Sequence, residues 1–164
     1  SGPSYTDTYQ VDFNWSPFTG FDLLATFRYN DTAVTLQRPD GTRVTVEKPL
    51  TDRYKGLVNL QYATRFRRWV FDFTAQVNGP VRLPGQEGNV SEEYSRPYPM
   101  FYIQVTRRLG VRTSIYLGCE NIANFMQPSP VIWDGNVHSN TFNSSLIWGP
   151  LMGRKIYAGV RITF

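Results

Sequence analysis

Three aspartates, Asp12, Asp22 and Asp72, are the residues whose type first suggests chemistry, because two carboxylates held close together can divide acid and base roles. Asp12 and Asp22 fall on neighbouring segments but are spaced for opposite sides of a short turn, and nothing nucleophilic accompanies them. Lining a polar interior, or meeting another part of the molecule, explains them better than catalysis. The one histidine, His138, sits in the polar stretch Asp134-Gly135-Asn136-Val137-His138-Ser139-Asn140. A solvated side chain and a contact to a substrate or metal complex are both open readings there. The one cysteine, Cys119, excludes an intrachain disulfide, and with a single histidine it leaves no zinc site. Gly41, Gly85, Gly88 and Gly110 read as turn glycines and make no phosphate loop. Trp133 and Trp148 are better placed to act, since rings on a long loop either stack on a flat ligand or pack within the loop. No catalytic constellation and no cofactor site emerges, so a non-enzymatic role is expected.

The net charge of +4 is carried mostly by arginine, and such a balance raises the question of nucleic acid. The arginines form no stripe. Arg65, Arg67 and Arg68, then Arg107, Arg108 and Arg112, gather in short segments between apolar runs that read as turns. Nucleic acid is therefore not an expected partner.

The elements that must position these residues follow from hydropathy. The chain has 164 residues, 41% of them hydrophobic, and no apolar run long enough for a membrane helix. Twenty-five aromatic residues give too much surface to bury for a disordered chain. The sequence opens Ser-Gly-Pro with no initiating Met or signal peptide, which reads as a mature, excised or incomplete segment. Almost everywhere the apolar period is two. Tyr9, Val11, Phe13 and Trp15 share one face, as do Phe21 to Tyr29, Val58 to Tyr62, and Trp69 to Ala75 at alternate positions. Phe101 to Val105, Val111 to Cys119, and Ile156 to Phe164 repeat the pattern. These are seven expected strands, each with one face free of charge.

Short and long connections alternate. Ser16–Gly20, Phe66–Arg68 and Arg107–Gly110 are expected as tight turns, while residues 30–53, 78–97 and 121–154 are long and polar. The first long segment holds its own hairpin, Thr32–Gln37 against Thr42–Glu47 around Pro39-Asp40-Gly41, continuing the two flanking strands. Short turns on one side and long loops on the other characterise transmembrane barrels. A soluble sandwich or lipocalin-like barrel would show the same alternation with its apolar face turned inward. Two features favour the membrane. Trp15, Phe21, Trp69 and Phe164 cluster beside the tight turns as an interfacial girdle would, and the opposite face carries charge at mid-strand.

The stretch Tyr116-Leu117-Gly118-Cys119-Glu120-Asn121-Ile122-Ala123-Asn124-Phe125 resembles the "G-x-E-N-[LI]-x-N" strand near the end of TonB-dependent outer-membrane receptors. Trp148 to Phe164 resembles that family's closing strand, and Pro49–Gly56 and Tyr94–Tyr98 are compatible with the same wall. Cys119 stands where a plain aliphatic is expected, a small departure at a lipid-facing position. The resemblance spans the chain but is specific only toward its end. It implies an all-β, antiparallel up-and-down meander of about seven strands, part of a 22-stranded type of barrel. Residues 1–164 would be the C-terminal portion of the wall, with plug domain, TonB box and signal peptide absent. In that setting the sequons at Asn30, Asn89 and Asn143 carry no weight.

By the same resemblance, Tyr157, Gly159, Ile162 and Phe164 match the spacing of a barrel-assembly signal. The implied function is import of a large scarce solute such as a siderophore, vitamin or glycan, with Trp133, His138 and Trp148 as loop contacts. Implied partners are outer-membrane lipid, the remaining strands and plug, the assembly machinery, and TonB through the missing N-terminal part. The location is the bacterial outer membrane, with the C-terminus periplasmic and loops near Arg38, Gln86 and Trp133 outside. Two rivals stay open: a complete small eight-stranded outer-membrane barrel with a structural or adhesive role, its eighth strand within Ser139–Trp148, and a soluble lipocalin-like binding barrel.

Overall fold

A segment whose alternate side chains are apolar presents one surface that must leave water and one that need not, and pairing such segments in register builds a two-sided sheet. The computed structural model describes residues 4–37, 41–83, 94–128 and 147–164. Its strands are β1 (Tyr5–Trp15), β2 (Phe21–Gln37), β3 (Arg43–Val46), β4 (Tyr54–Ala63), β5 (Trp69–Asn78), β6 (Tyr98–Arg108), β7 (Thr113–Glu120) and β8 (Lys155–Ile162). Seven form one antiparallel meander in the order β1-β2-β4-β5-β6-β7-β8, and β3 pairs the far end of β2 outside that path. The wall therefore has the seven strands read from the alternation, and the eighth is the hairpin partner.

Several boundaries differ from expectation. The hairpin continues β2 without a break, but residues 47–53 separate β3 from β4, so only one flank is prolonged. Arg107 and Arg108 belong to β6 and not to a turn, because Trp69 and the backbone carbonyl of Arg68 pair with them. Val111 is fully exposed in the turn, and β7 begins at Thr113. Trp133, His138, Arg38 and Gln86 lie outside the described residues, as does most of Ser139–Trp148.

Register preserves face parity across the sheet. Phe71, Val105, Leu117 and Ala158 lie opposite one another, and so do Phe73, Ile103, Cys119 and Ile156. On the other face Asp22, Gln61, Asp72, Gln104, Gly118 and Tyr157 form one row. A one-residue slip of β5 against β4 or β6 would put Asp72 among the apolar side chains. The sheet is open: β1 pairs only β2, is exposed along its whole length, and β8 pairs only β7 among the described residues. Backbone groups on those two edges await partners.

Candidate functional site

The covering of the two faces is the reverse of that in a soluble sheet. Apolar side chains stand exposed, with Leu117 at 58% and Ile156 at 70%, while Asn59, Gln61, Asp72, Thr74 and Gln104 are half-buried. The polar face satisfies itself. Asn59 Nδ2 donates to Asp72 Oδ1 at 2.9 Å and to Thr74 Oγ1 at 2.8 Å, and Gln61 Nε2 donates to Asp72 Oδ2 at 3.0 Å. Thr26 Oγ1 donates to Asp12 Oδ1 at 2.7 Å, and Ser16 Oγ to Asp22 Oδ1 at 2.6 Å. Each aspartate has its own neutral donors and no two are brought together, so the structure assembles no carboxylate pair.

The four aromatics Trp15, Phe21, Trp69 and Phe164 fall on a diagonal. Following the pairing across from Trp15 reaches Phe73 on β5 and Ile156 on β8. Trp69 lies four residues beyond Phe73 toward the short turns, three strands away from β1; Phe164 lies eight beyond Ile156, six strands away. With about 3.3 Å per residue and about 4.8 Å between strands, both offsets correspond to a tilt of roughly 40–45°. Strands of membrane barrels tilt by about 35–45°, so side chains on such a diagonal share one height.

Tyr157 and Tyr116 each lie over a glycine of the neighbouring strand. A Cβ on Gly118 would come within 2.3 Å of the Tyr157 ring, and one on Gly159 within 2.3 Å of the Tyr116 hydroxyl. Tyr157 Oη then donates to Gln104 Oε1 at 3.0 Å, tying β8 to β6 across β7. The glycine of the sequence pattern at 159 thus has a packing reason of its own: no other residue leaves space for Tyr116.

Burial concentrates at the long-loop end. Val81 and Leu83 are buried under Trp148, whose ring also meets Tyr98 at 5.8 Å and Phe125 at 6.4 Å. Tyr98 and Phe125 stack at 4.8 Å. Buried Gln127 accepts the backbone N–H groups of Trp148 and Gly149 at 2.9 and 3.0 Å. Buried Asn121, in a left-handed turn with φ 51°, donates to the carbonyls of Phe125 and Met152 and accepts the Phe125 N–H. Arg154 donates through Nε and Nη2 to the Ile122 carbonyl. Outside the strands, Arg53 pairs with Glu47, whose carboxylate raises the guanidinium pKa above its ordinary value by hydrogen bond and charge.

Of the loop residues singled out in the sequence, Trp148 is half-buried within this aromatic cluster. Tyr98, Phe125, Asn121 and Gln127 escaped sequence reasoning as a group. The available signal was a pair of asparagines, Asn121 and Asn124, at positions that take positive φ with least strain.

An open antiparallel meander with an exposed apolar face, a half-covered polar face and long connections at one end has the architecture of a barrel-wall segment. Among solved structures, it is similar to the TonB-dependent ferric enterobactin receptor PfeA of Pseudomonas aeruginosa. An arginine-to-alanine variant of that receptor in complex with enterobactin matches at TM-score 0.68 and 16% identity, over 98% of this chain and 23% of that one. A glycine-to-valine variant matches at TM-score 0.65 and 15% identity, over 98% and 22%. The chain spans less than a quarter of the length of these receptors. No protein-family model and no curated protein matches the sequence. At this identity the likeness defines the fold, that of a barrel wall.

Proposed function

We propose that residues 1–164 are the C-terminal portion of the barrel wall of a TonB-dependent outer-membrane receptor that imports a large scarce solute of the siderophore, vitamin or glycan class. The observation that carries this reading is the exposed apolar face opposite a half-covered, internally hydrogen-bonded polar face. Lipid makes such an arrangement favourable, because each exposed apolar side chain would cost free energy in water. The likeness to a siderophore receptor and the sequence motifs add the solute class and the partners: lipid, the other strands and plug, and TonB through parts of the receptor beyond this wall.

In this reading Trp15, Phe21, Trp69 and Phe164 form the girdle at the periplasmic boundary, and the C-terminus faces the periplasm. Tyr157, Gly159, Ile162 and Phe164 present β8 to the assembly machinery by strand addition, for which its free edge is suited. Trp148, with Trp133 and His138, belongs to the loop surface that meets the solute. The complete small barrel gains no support from the described residues, since β1 and β8 do not pair.

The test places the chain in vesicles containing lipids brominated along the acyl chain. Strong quenching of Trp15 and Trp69 is expected; cooperative folding in plain buffer with both tryptophans shielded from brominated lipid would return the soluble barrel. Reading the coding sequence upstream of Ser1 tests the receptor itself, which requires an in-frame plug and about fifteen further alternating strands.

A further inference from the structure

The fold gathers the arginines that the sequence scatters. Arg65, Arg67, Arg68, Arg107, Arg108 and Arg112, with Arg161 on β8, all lie exposed at the short-turn end. Backbone hydrogen bonds join their segments: Arg108 N–H to the Arg68 carbonyl at 2.8 Å, and Thr163 N–H to the Arg112 carbonyl at 2.9 Å. Among the described residues none of the seven makes an ion pair, whereas Arg53–Glu47 and Lys155–Glu120 lie toward the other end. On the neighbouring strands Asp22 and Asp72 lie on the polar face and are engaged there.

Beside this cluster the apolar face carries a groove of about 710 Å³ walled by Trp69, Val105, Ile115, Leu117 and Ala158, with Arg107 at its lip. Its size falls in the range of about 300–1,000 Å³ typical of sites for small organic ligands. Arg107 stands opposite both Trp69 and Ile115, on the face that meets lipid, and its guanidinium lies 5.1 Å from the centre of the Trp69 ring. An arginine on that face is tolerated only where its charge reaches the headgroup level. The aromatic diagonal passes within about two residues of Arg107, so the guanidinium has that reach.

We propose that the groove and its arginine lip bind one anionic phospholipid of the leaflet at the short-turn side. An acyl chain occupies the groove, and the headgroup phosphate accepts hydrogen bonds from Arg107 and the neighbouring turn arginines. Charge complementarity commits the site to an anionic lipid: a zwitterionic headgroup brings its own ammonium, while a net-negative phosphate meets seven guanidiniums that outnumber the carboxylates at this end and pair with none of them. The inference rests on the membrane reading above.

The complete protein carrying this wall is reconstituted in phosphatidylethanolamine vesicles doped with brominated phosphatidylglycerol or, separately, brominated phosphatidylethanolamine. Subtracting a Trp69→Phe variant isolates the Trp69 signal. The brominated anionic lipid is expected to associate about fivefold more strongly for each arginine in reach of its phosphate. Arg107→Gln should lose about that factor and Arg107→Lys should keep most of it. A triple Arg65→Gln, Arg67→Gln, Arg68→Gln variant, altered only in the exposed turn, should weaken the preference without touching a strand. Equal quenching by both lipids overturns the headgroup site and leaves the membrane reading intact; quenching by neither overturns both. Loss of the preference to inorganic phosphate or a soluble oligonucleotide, at matched ionic strength, would make this a site for free anions and also overturn the proposal.

Discussion

The two ends of the sheet are held by different physics. At the long-loop end Asn121, Gln127, Asn78 and Ser95 are buried, and side-chain amides clamp backbone groups up to thirty-one residues away. At the short-turn end each connection is a few residues long and, among the described residues, Ala63 is the buried side chain and the arginines are exposed and unpaired by acids. The first end carries its own small core; the second depends on what surrounds it. In the proposed reading the long loops stand outside the membrane and need internal clamps there, because water competes for every exposed hydrogen bond. At the other end, in the proposed membrane setting, lipid headgroups would supply the partners that the chain lacks.

The largest effect is expected from breaking the long-loop clamp. Asn121→Leu removes one acceptor and two donated hydrogen bonds and places a branched side chain at positive φ, together costing about 3–5 kcal/mol. Hydrogen exchange should show residues 121–128 and 147–154 opening together while β4 and β5 stay protected; uniform loss of protection would mean that the clamp is not a separate unit. Next comes Leu117→Arg. Leu117 lies about five residues above the aromatic diagonal on a tilted strand, near the middle of an apolar band about 25 Å tall. The substitution should cost about 2–4 kcal/mol in vesicle unfolding titrations. The same change at Leu151, exposed at the long-loop end, should cost within about 0.5 kcal/mol, as surface changes do.

Legibility in the sequence divides along the same line. The wall could be read because its rule is local: an alternating strand commits each side chain to a face, and Tyr9–Trp15 or Trp69–Ala75 declares that commitment within a few residues. The clamps could not. Asn121 and Met152, or Gln127 and Trp148, meet only after intervening strands have fixed where both segments stand, and a buried asparagine looks like a loop asparagine in sequence. Arg107 misled for a related reason. Read alone it belongs to a turn, but Trp69 opposite it extends the ladder and gives its cation an aromatic face. The two readings of Trp148 were equally open in sequence, and the structure supplies the packing partners Val81, Leu83, Tyr98 and Phe125 without excluding contact through the part of the ring left exposed.

A smaller effect separates packing from recognition at β8. Gly118→Ala forces the Tyr157 ring off its neighbour and should cost about 1–3 kcal/mol as an overpacking change. Adding Tyr157→Ala should recover most of that loss, a non-additivity readable in a double-mutant cycle. Gly159 can be treated in the same way through Tyr116. If Gly159→Ala is rescued by Tyr116→Ala in both stability and membrane insertion, the glycine is there for the ring above it. Rescue of stability alone, with insertion still impaired, would assign it to the assembly signal as well.

The smallest expected effect lies in the Arg53–Glu47 pair. Both side chains are partly exposed, so their attraction is screened by water and salt and contributes only about 0.2–1 kcal/mol. Because Glu47 raises the Arg53 pKa, the pairing persists from neutral pH up to the ordinary arginine pKa and is lost on the alkaline side as pH rises through the higher folded value. Across neutral pH the contribution is therefore constant, and Glu47→Gln should lower stability by the same small amount at pH 6 and pH 9. Raising ionic strength should shrink the difference between the two proteins, since exposed charges are screened within about 8–10 Å at physiological salt. The short-turn arginines respond to salt differently. Their partners in the proposed complex are lipid phosphates at the membrane boundary, so salt should weaken headgroup preference there without altering the stability of the wall. Salt titration of one protein, read by unfolding at one end and by lipid selectivity at the other, separates an ion pair made within the chain from one made with its surroundings.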